Sequence, residues 1–139
     1  MPGNPTIWNP LPMSDKQICQ MTIDVETAYI DEQSDPDNNR YVFSYTITIR
    51  NTGDVAAKLM TRHWIITDAN NFTQEVKGDG VVGEQPHLKP GEGFQYTSGT
   101  VLDTPIGSMR GSYQMLTSDD TYFDAEIPTF TLSKPNALH

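Results

Sequence analysis

The feature that most constrains this chain is an alternation of apolar and polar side chains with a period of two, beginning at residue 21 and returning in each patterned segment after it. Successive side chains of a strand point to opposite faces, so this pattern describes β-strands that each bury one face. Ile23, Val25, Thr27 and Tyr29 alternate with Thr22, Asp24, Glu26 and Ala28. In the next segment Tyr41, Phe43, Tyr45, Ile47 and Ile49 face one way, and Val42, Ser44, Thr46, Thr48 and Arg50 the other. β-Branched and aromatic residues, which pack well on a pleated surface, dominate both.

Turn signals separate the segments. Asn51-Thr52-Gly53-Asp54 turns the chain, and residues 57–67 predict a longer strand carrying Leu59, Met60, Trp64, Ile65 and Ile66. Asp68-Ala69-Asn70-Asn71 then makes a tight turn into a strand over 72–76, which completes a hairpin. Beyond a glycine-rich stretch, Phe94, Tyr96, Ser98 and Thr100 alternate with Gln95, Thr97, Gly99 and Val101, and residues 108–116 repeat the signal. Ser118-Asp119-Asp120 turns again, a strand over 122–127 is expected to stop at Pro128, and 130–132 predicts a short final strand. No stretch has helical periodicity. Seven to eight short strands between turns predict an all-β fold, an antiparallel immunoglobulin-like or fibronectin type III-like β-sandwich over residues 20–138. Cys19, the single cysteine, cannot close an internal disulfide. Packing must therefore hold the sheets together, with Trp64, Tyr45, Phe43 and Phe94 expected at its centre, each contributing roughly 1.5–3 kcal/mol when fully buried. Residues 1–12 contain Pro2, Pro5, Pro10 and Pro12 and no apolar period, and are expected to form an extended or disordered leader with Trp8 unanchored.

A chain of 139 residues is long enough for one domain with a core of its own. The formal net charge is −9, and the nine Lys and Arg are scattered singly, so the long-range field repels phosphate backbones and anionic lipid. Neither nucleic acid nor membrane insertion is expected. No apolar run is long enough for a signal-peptide core or a membrane span, and the chain is read as cytoplasmic. Its oligomeric state is left open, since any edge strand can pair with its copy.

Gly78-Asp79-Gly80-Val81-Val82-Gly83 has the Gly-x-Gly-x-x-Gly spacing of dinucleotide sites. That chemistry requires a helix opening inside the motif to aim its N–H groups at phosphate, whereas here Pro86 and Pro90 follow at once. Gly78, Gly80 and Gly83 remain a candidate anion-binding nest built from backbone N–H groups alone. Against it, Asp79 and Glu84 offset Lys77 and Lys89, and glycine also serves wherever φ is positive or two backbones pass closely. The stretch Asp31 to Asn39 supplies hard oxygen ligands, with Asp35, Asp37 and Asn39 at the first spacings of a calcium loop, but Arg40 and Thr46 stand where that loop needs glycine and glutamate. A solvated hairpin connection is the default there. His63, His87, His139 and Cys19 form no close ligand pair, and no metal or cofactor is expected. No nucleophile elbow or zinc signature is present, so the chain is read as not an enzyme. Asp68 and His63 have the spacing to pair across the hairpin turn, though without a nucleophile to activate.

Several blocks in order carry a family resemblance: Glu32-Gln33-Ser34-Asp35-Pro36 with Asn38 to Phe43, Arg62-His63-Trp64-Ile65-Ile66-Thr67-Asp68, Gly78 to Pro86, Leu88 to Glu92, Tyr96-Thr97-Ser98-Gly99 and Gly111 to Met115. Together they resemble the bacterial ApaG family over about residues 20–138. The resemblance implies a fibronectin type III-like sandwich without an established catalytic activity. It also implies a genetic setting near diadenosine tetraphosphate hydrolysis and an association with cobalt resistance and magnesium efflux. The same domain in eukaryotic F-box proteins and in a DNA polymerase δ-interacting protein looks like a protein-interaction module. A protein-binding role is accordingly expected, through Arg62, His63, Glu84 and Pro105 on the 62–64 strand, the 78–86 loop and the 103–107 turn. The alternative is a sensor that binds pyrophosphate, a nucleotide or a divalent cation at the glycine loop.

Overall fold

The computed structural model describes residues 18–137. The leader over 1–12, Trp8 and His139 lie outside the described residues. Eight strands run in chain order: β1 Met21–Tyr29, β2 Tyr41–Asn51, β3 Ala57–Asp68, β4 Thr73–Asp79, β5 His87–Leu88, β6 Gly93–Leu102, β7 Ile106–Thr117 and β8 Tyr122–Ser133. They form two antiparallel sheets. One has the order β1-β2-β6; the other has the order β4-β3-β7-β8, with β5 pairing the start of β3. The expected sandwich is therefore observed, and among the described residues helical structure is confined to two 3₁₀ turns, Asp31–Gln33 and Pro36–Asn38, in the β1–β2 connection.

The core sits between the sheets. Phe43, Tyr45, Ile47 and Ile49 of β2 are buried on one side of it, against Ala57, Leu59, Trp64, Met109, Tyr113, Met115 and Leu132 from the other sheet. Trp64 is its hub. Its ring meets those of Tyr45, Phe130 and Tyr113 edge-on at 5.4, 5.9 and 6.4 Å between centroids, the geometry that brings a positive ring edge to a negative ring face. Phe94, expected at this centre, lies only partly buried at the rim of the cluster.

The structure corrects several expected boundaries. β4 starts after Phe72, which is 73% exposed in the turn, and continues through Gly78 to Asp79, so the first glycine of the motif is a strand residue. Pro128 does not end β8. Pro128 and Thr129 together oppose Arg110 alone, between the pairs Gly111↔Ile127 and Met109↔Phe130. This bulge lies on a strand paired only with β7, where a residue without an N–H can be absorbed. Asn51 is no turn residue either. It ends β2 and is buried, and its Nδ2 donates to the carbonyls of Val55 and Leu88 while its Oδ1 accepts from the N–H of Gly53.

A second bulge matters more. In the β3–β7 ladder Leu59 opposes Met115 and Thr61 opposes Gln114, which leaves Met60 as an extra residue. One extra residue shifts the alternation by one, so everything beyond it changes face. Leu59 lies inside before the bulge; Trp64 and Ile66, with Arg62, lie on the inner side after it, and His63 turns outward.

Candidate functional site

The sandwich is closed along one side, where β1 packs against β8, and open along the other, where β6 and β4 are the last strands of their sheets. Between these two strands lies a cleft. Its floor is Tyr45 and Trp64, and its walls come from the inward residues of β6 (Ser98, Thr100) and β4 (Gln74, Val76). The central part encloses about 260 Å³. It continues past Arg62 toward Val81, Val82 and Tyr96 at one end, and toward Phe72, Leu102, Asp68 and Asp103 at the other.

Arg62 is the one cation lining this cleft, toward its Tyr96 end, and the glycine motif holds it there. Arg62 pairs across the ladder with Gly78, so both would project to the same face. A Cβ on Gly78 would stand 2.8 Å from the guanidinium carbon, in the space the Arg62 head occupies. From that seat one nitrogen, Nη1, donates to the carbonyls of Asp79 and Gly80 at 2.9 Å each. Tyr45, Tyr96 and Ser98 line the same part of the cleft as Arg62, and no carboxylate among the described residues lies at ion-pair distance from it. Among the described residues the only close ion pair is His63 Nε2 with Glu75 Oε2 at 2.5 Å, on the outer face.

Gly80 and Gly83 complete a tight turn. Gly80 has φ +61 and Gly83 φ +81, and a Cβ on Gly80 would come within 2.3 Å of the Glu84 carbonyl oxygen. Three N–H groups of the turn are engaged: Gly80 donates to Met60 of β3, Val81 to Glu84 and Glu84 to Val81. Gln85 Nε2 donates to the same Met60 carbonyl at 2.9 Å. The motif thus clamps the bulge that turns Arg62 inward.

The candidate residues separate into three places. Arg62, Gly78, Gly80 and Glu84 belong to the cleft end and its turn; His63 faces outward, beside Lys77 and Ser112, its partners on the flanking strands. Pro105 lies at the opposite end of β3, where Thr104 Oγ1 accepts from the Ala69 N–H, Ile106 follows as the first residue of β7, and the Pro105 carbonyl accepts from Lys134. Asp68 does not pair with His63; its carboxylate accepts from the N–H groups of Asn70 and Phe72 and shapes the hairpin turn. The acidic 31–39 stretch is likewise engaged in turn-making, with Asn38 Nδ2 donating to Asp35 at 2.7 Å. Among the described residues no three His, Cys, Asp or Glu side chains converge on a common point.

Tyrosines report how dry the deep end of the cleft is. Burial pushes the Tyr45 hydroxyl above its ordinary range, opposed by a hydrogen bond with Ser98 and by the charge of Arg62. Tyr96 and Tyr113, whose hydroxyls meet at 2.5 Å across the two sheets, are pushed up much further, chiefly by burial. On the wet outer face the sign reverses. The hydrogen bond from His63, and then the charge of Lys77, hold the Glu75 carboxyl below its ordinary value.

The sequence pattern of the ApaG domain matches residues 31–117, and Protein ApaG of Thiobacillus denitrificans is 61% identical over 127 residues, covering 91% of this chain and all of that protein. The chain belongs to the ApaG family. Protein ApaG of Dechloromonas aromatica is 58% identical over the same length. The crystal structure of the ApaA protein from Bordetella pertussis superposes with a TM-score of 0.82 at 49% identity, covering 85% of this chain and 96% of that one. ApaG membership agrees with the observed sandwich and leaves the molecular role to the chemistry of its surface. Sequence reasoning selected Arg62 and Gly78 but treated them as separate candidates. The cleft partners Tyr45, Gln74 and Ser98 were missed, because only the β4 and β6 edges bring them together. The one available signal was their shared parity with buried neighbours on each strand.

Proposed function

We propose that this ApaG domain is a non-enzymatic, cytoplasmic protein-interaction module. The observation that carries the reading is the open side of the sandwich, where the last strands of both sheets run beside each other with no further strand paired to them among the described residues. Unpaired strand edges are templates for another chain. Three of the large apolar residues left exposed in the structure, Phe72, Val82 and Val101, lie along this side. The association with cobalt resistance and magnesium efflux that the family resemblance implies then acts through the partner protein. No helix among the described residues is long and apolar enough to cross a membrane.

Photo-crosslinking from positions 74 and 101 in native cytosol, followed by identification of the captured chain, tests this. A saturable partner competed by excess unlabelled protein is expected. A parallel amide titration with magnesium, cobalt and pyrophosphate decides the alternative: localised, saturable shifts at Gly78 to Gly83, with nothing captured, would replace this reading with a small-ligand sensor.

A further inference from the structure

The geometry points to one class of occupant for the open cleft: an extended peptide with a carboxylate at one end, added as a strand to the free edge of β6, its carboxylate on Arg62. This rests on the protein-interaction reading and specifies its partner.

Three observations converge on it. First, the shape is that of a strand. From Tyr96 to Leu102 the β6 edge spans seven residues, roughly 20 Å at about 3.3 Å per residue, and the cleft follows it for that length. Second, the two faces open to an added strand differ. Inward positions of an added strand meet Trp64, Tyr45, Ile66 and Val76, while outward positions lie beside exposed Val101. Third, the charge has a direction. Arg62, fixed by two carbonyls and lacking a carboxylate partner among the described residues, lies at the Tyr96 end, and Asp68 and Asp103 lie at the Leu102 end. A peptide running antiparallel to β6 would begin beside the two aspartates and finish at Arg62. That orientation places a positive N-terminal end and a negative C-terminal end each against its opposite. The guanidinium suits a carboxylate because its parallel N–H donors match the two oxygens. The carboxylate can be a main-chain terminus or an acidic side chain.

The test uses the full-length protein and a library of random synthetic heptapeptides, made in parallel with free and with amidated C-termini. Selected peptides are expected to alternate apolar residues and to carry a carboxylate at or near the C-terminal end; loss on amidation identifies a terminal carboxylate, and retention an acidic side chain. Arg62→Gln should weaken the selected peptides roughly tenfold or more, with partial recovery in Arg62→Lys. Gln74→Trp, at an exposed position, should block the cleft without disturbing the core. N-methylation of alternate peptide amides should abolish binding on one edge only, the signature of strand addition. Selected peptides that bind Arg62→Gln and Gln74→Trp as tightly as the parent, or that shift amides around His63 and Glu75 rather than along β6, would overturn the proposal. So would a dimer dissolved by Gln74→Trp, since a second copy would then hold the edge. If no peptide is selected while crosslinked partners persist, the peptide proposal falls and the interaction module stands; if nothing is captured either, both fall.

Discussion

At the scale of single residues, the motif glycines Gly78 and Gly80 have separable roles. Gly80→Ala forces a side chain into positive φ and onto the Glu84 carbonyl, which is backbone and cannot swing away. A loss of about 1–3 kcal/mol in urea unfolding is expected. Gly78→Ala meets only the Arg62 guanidinium, a side-chain end that can be displaced, so it should cost less stability but release the guanidinium from Asp79 and Gly80. The arginine side-chain NH signals in an NMR spectrum will read this directly; an unmoved Arg62 resonance would mean that Gly78 is not its seat. Asn51→Ala strands two buried carbonyls and one N–H, and a loss of about 2–4 kcal/mol is expected in the same unfolding assay. The Asn51 role was hidden in the sequence because Asn-Thr-Gly-Asp is a turn signal, and nothing local distinguishes a buried amide hub from an exposed turn former. Trp64 was legible: an indole in a period-two strand has few places to go other than the core.

At the scale of elements, β1, β2 and β6 were legible as strands from alternation, whereas their pairing, which joins β2 to the distant β6, is set by the fold. β3 and β8 were harder, because each contains a residue that breaks the period, and a bulge is defined by the partner strand rather than by the strand that carries it. The same elements set the response to alkali. Tyr96 and Tyr113 join β6 to β7 through their hydroxyls, and burial raises both above the ordinary tyrosine value. A folded-state value above the unfolded one favours the neutral form, so their stabilisation is complete below about pH 10 and declines as pH rises beyond it. Absorbance titration should show some tyrosines ionising in the native state while Tyr96 and Tyr113 ionise only with cooperative unfolding. Titration of every tyrosine before any loss of fold would refute the buried pair.

At the scale of the whole molecule, the sandwich is asymmetric: β3 and β7 lie inside their sheet, β1 and β8 cover one another, and β4 and β6 stand open. Hydrogen exchange should rank accordingly, slowest in β3 and β7 and fastest along the outer edges of β4 and β6. Slow exchange along both β6 edges in the isolated protein would show that something already covers it. The candidate site was only half legible for this reason: its residues come from β2, β3, β4 and β6, and the open side is a property of how the sheets end rather than of any one segment. The Met60 carbonyl, held by Gly80 and Gln85, ties the turn to β3. Excising Met60 should leave Thr61 opposite Gln114 and keep Arg62 and Trp64 inward in an unbroken ladder, while removing the carbonyl that anchors Gly80 and Gln85. For anyone grafting or shuffling this domain, the turn at 80–85 and the strand it grips therefore form one indivisible cassette.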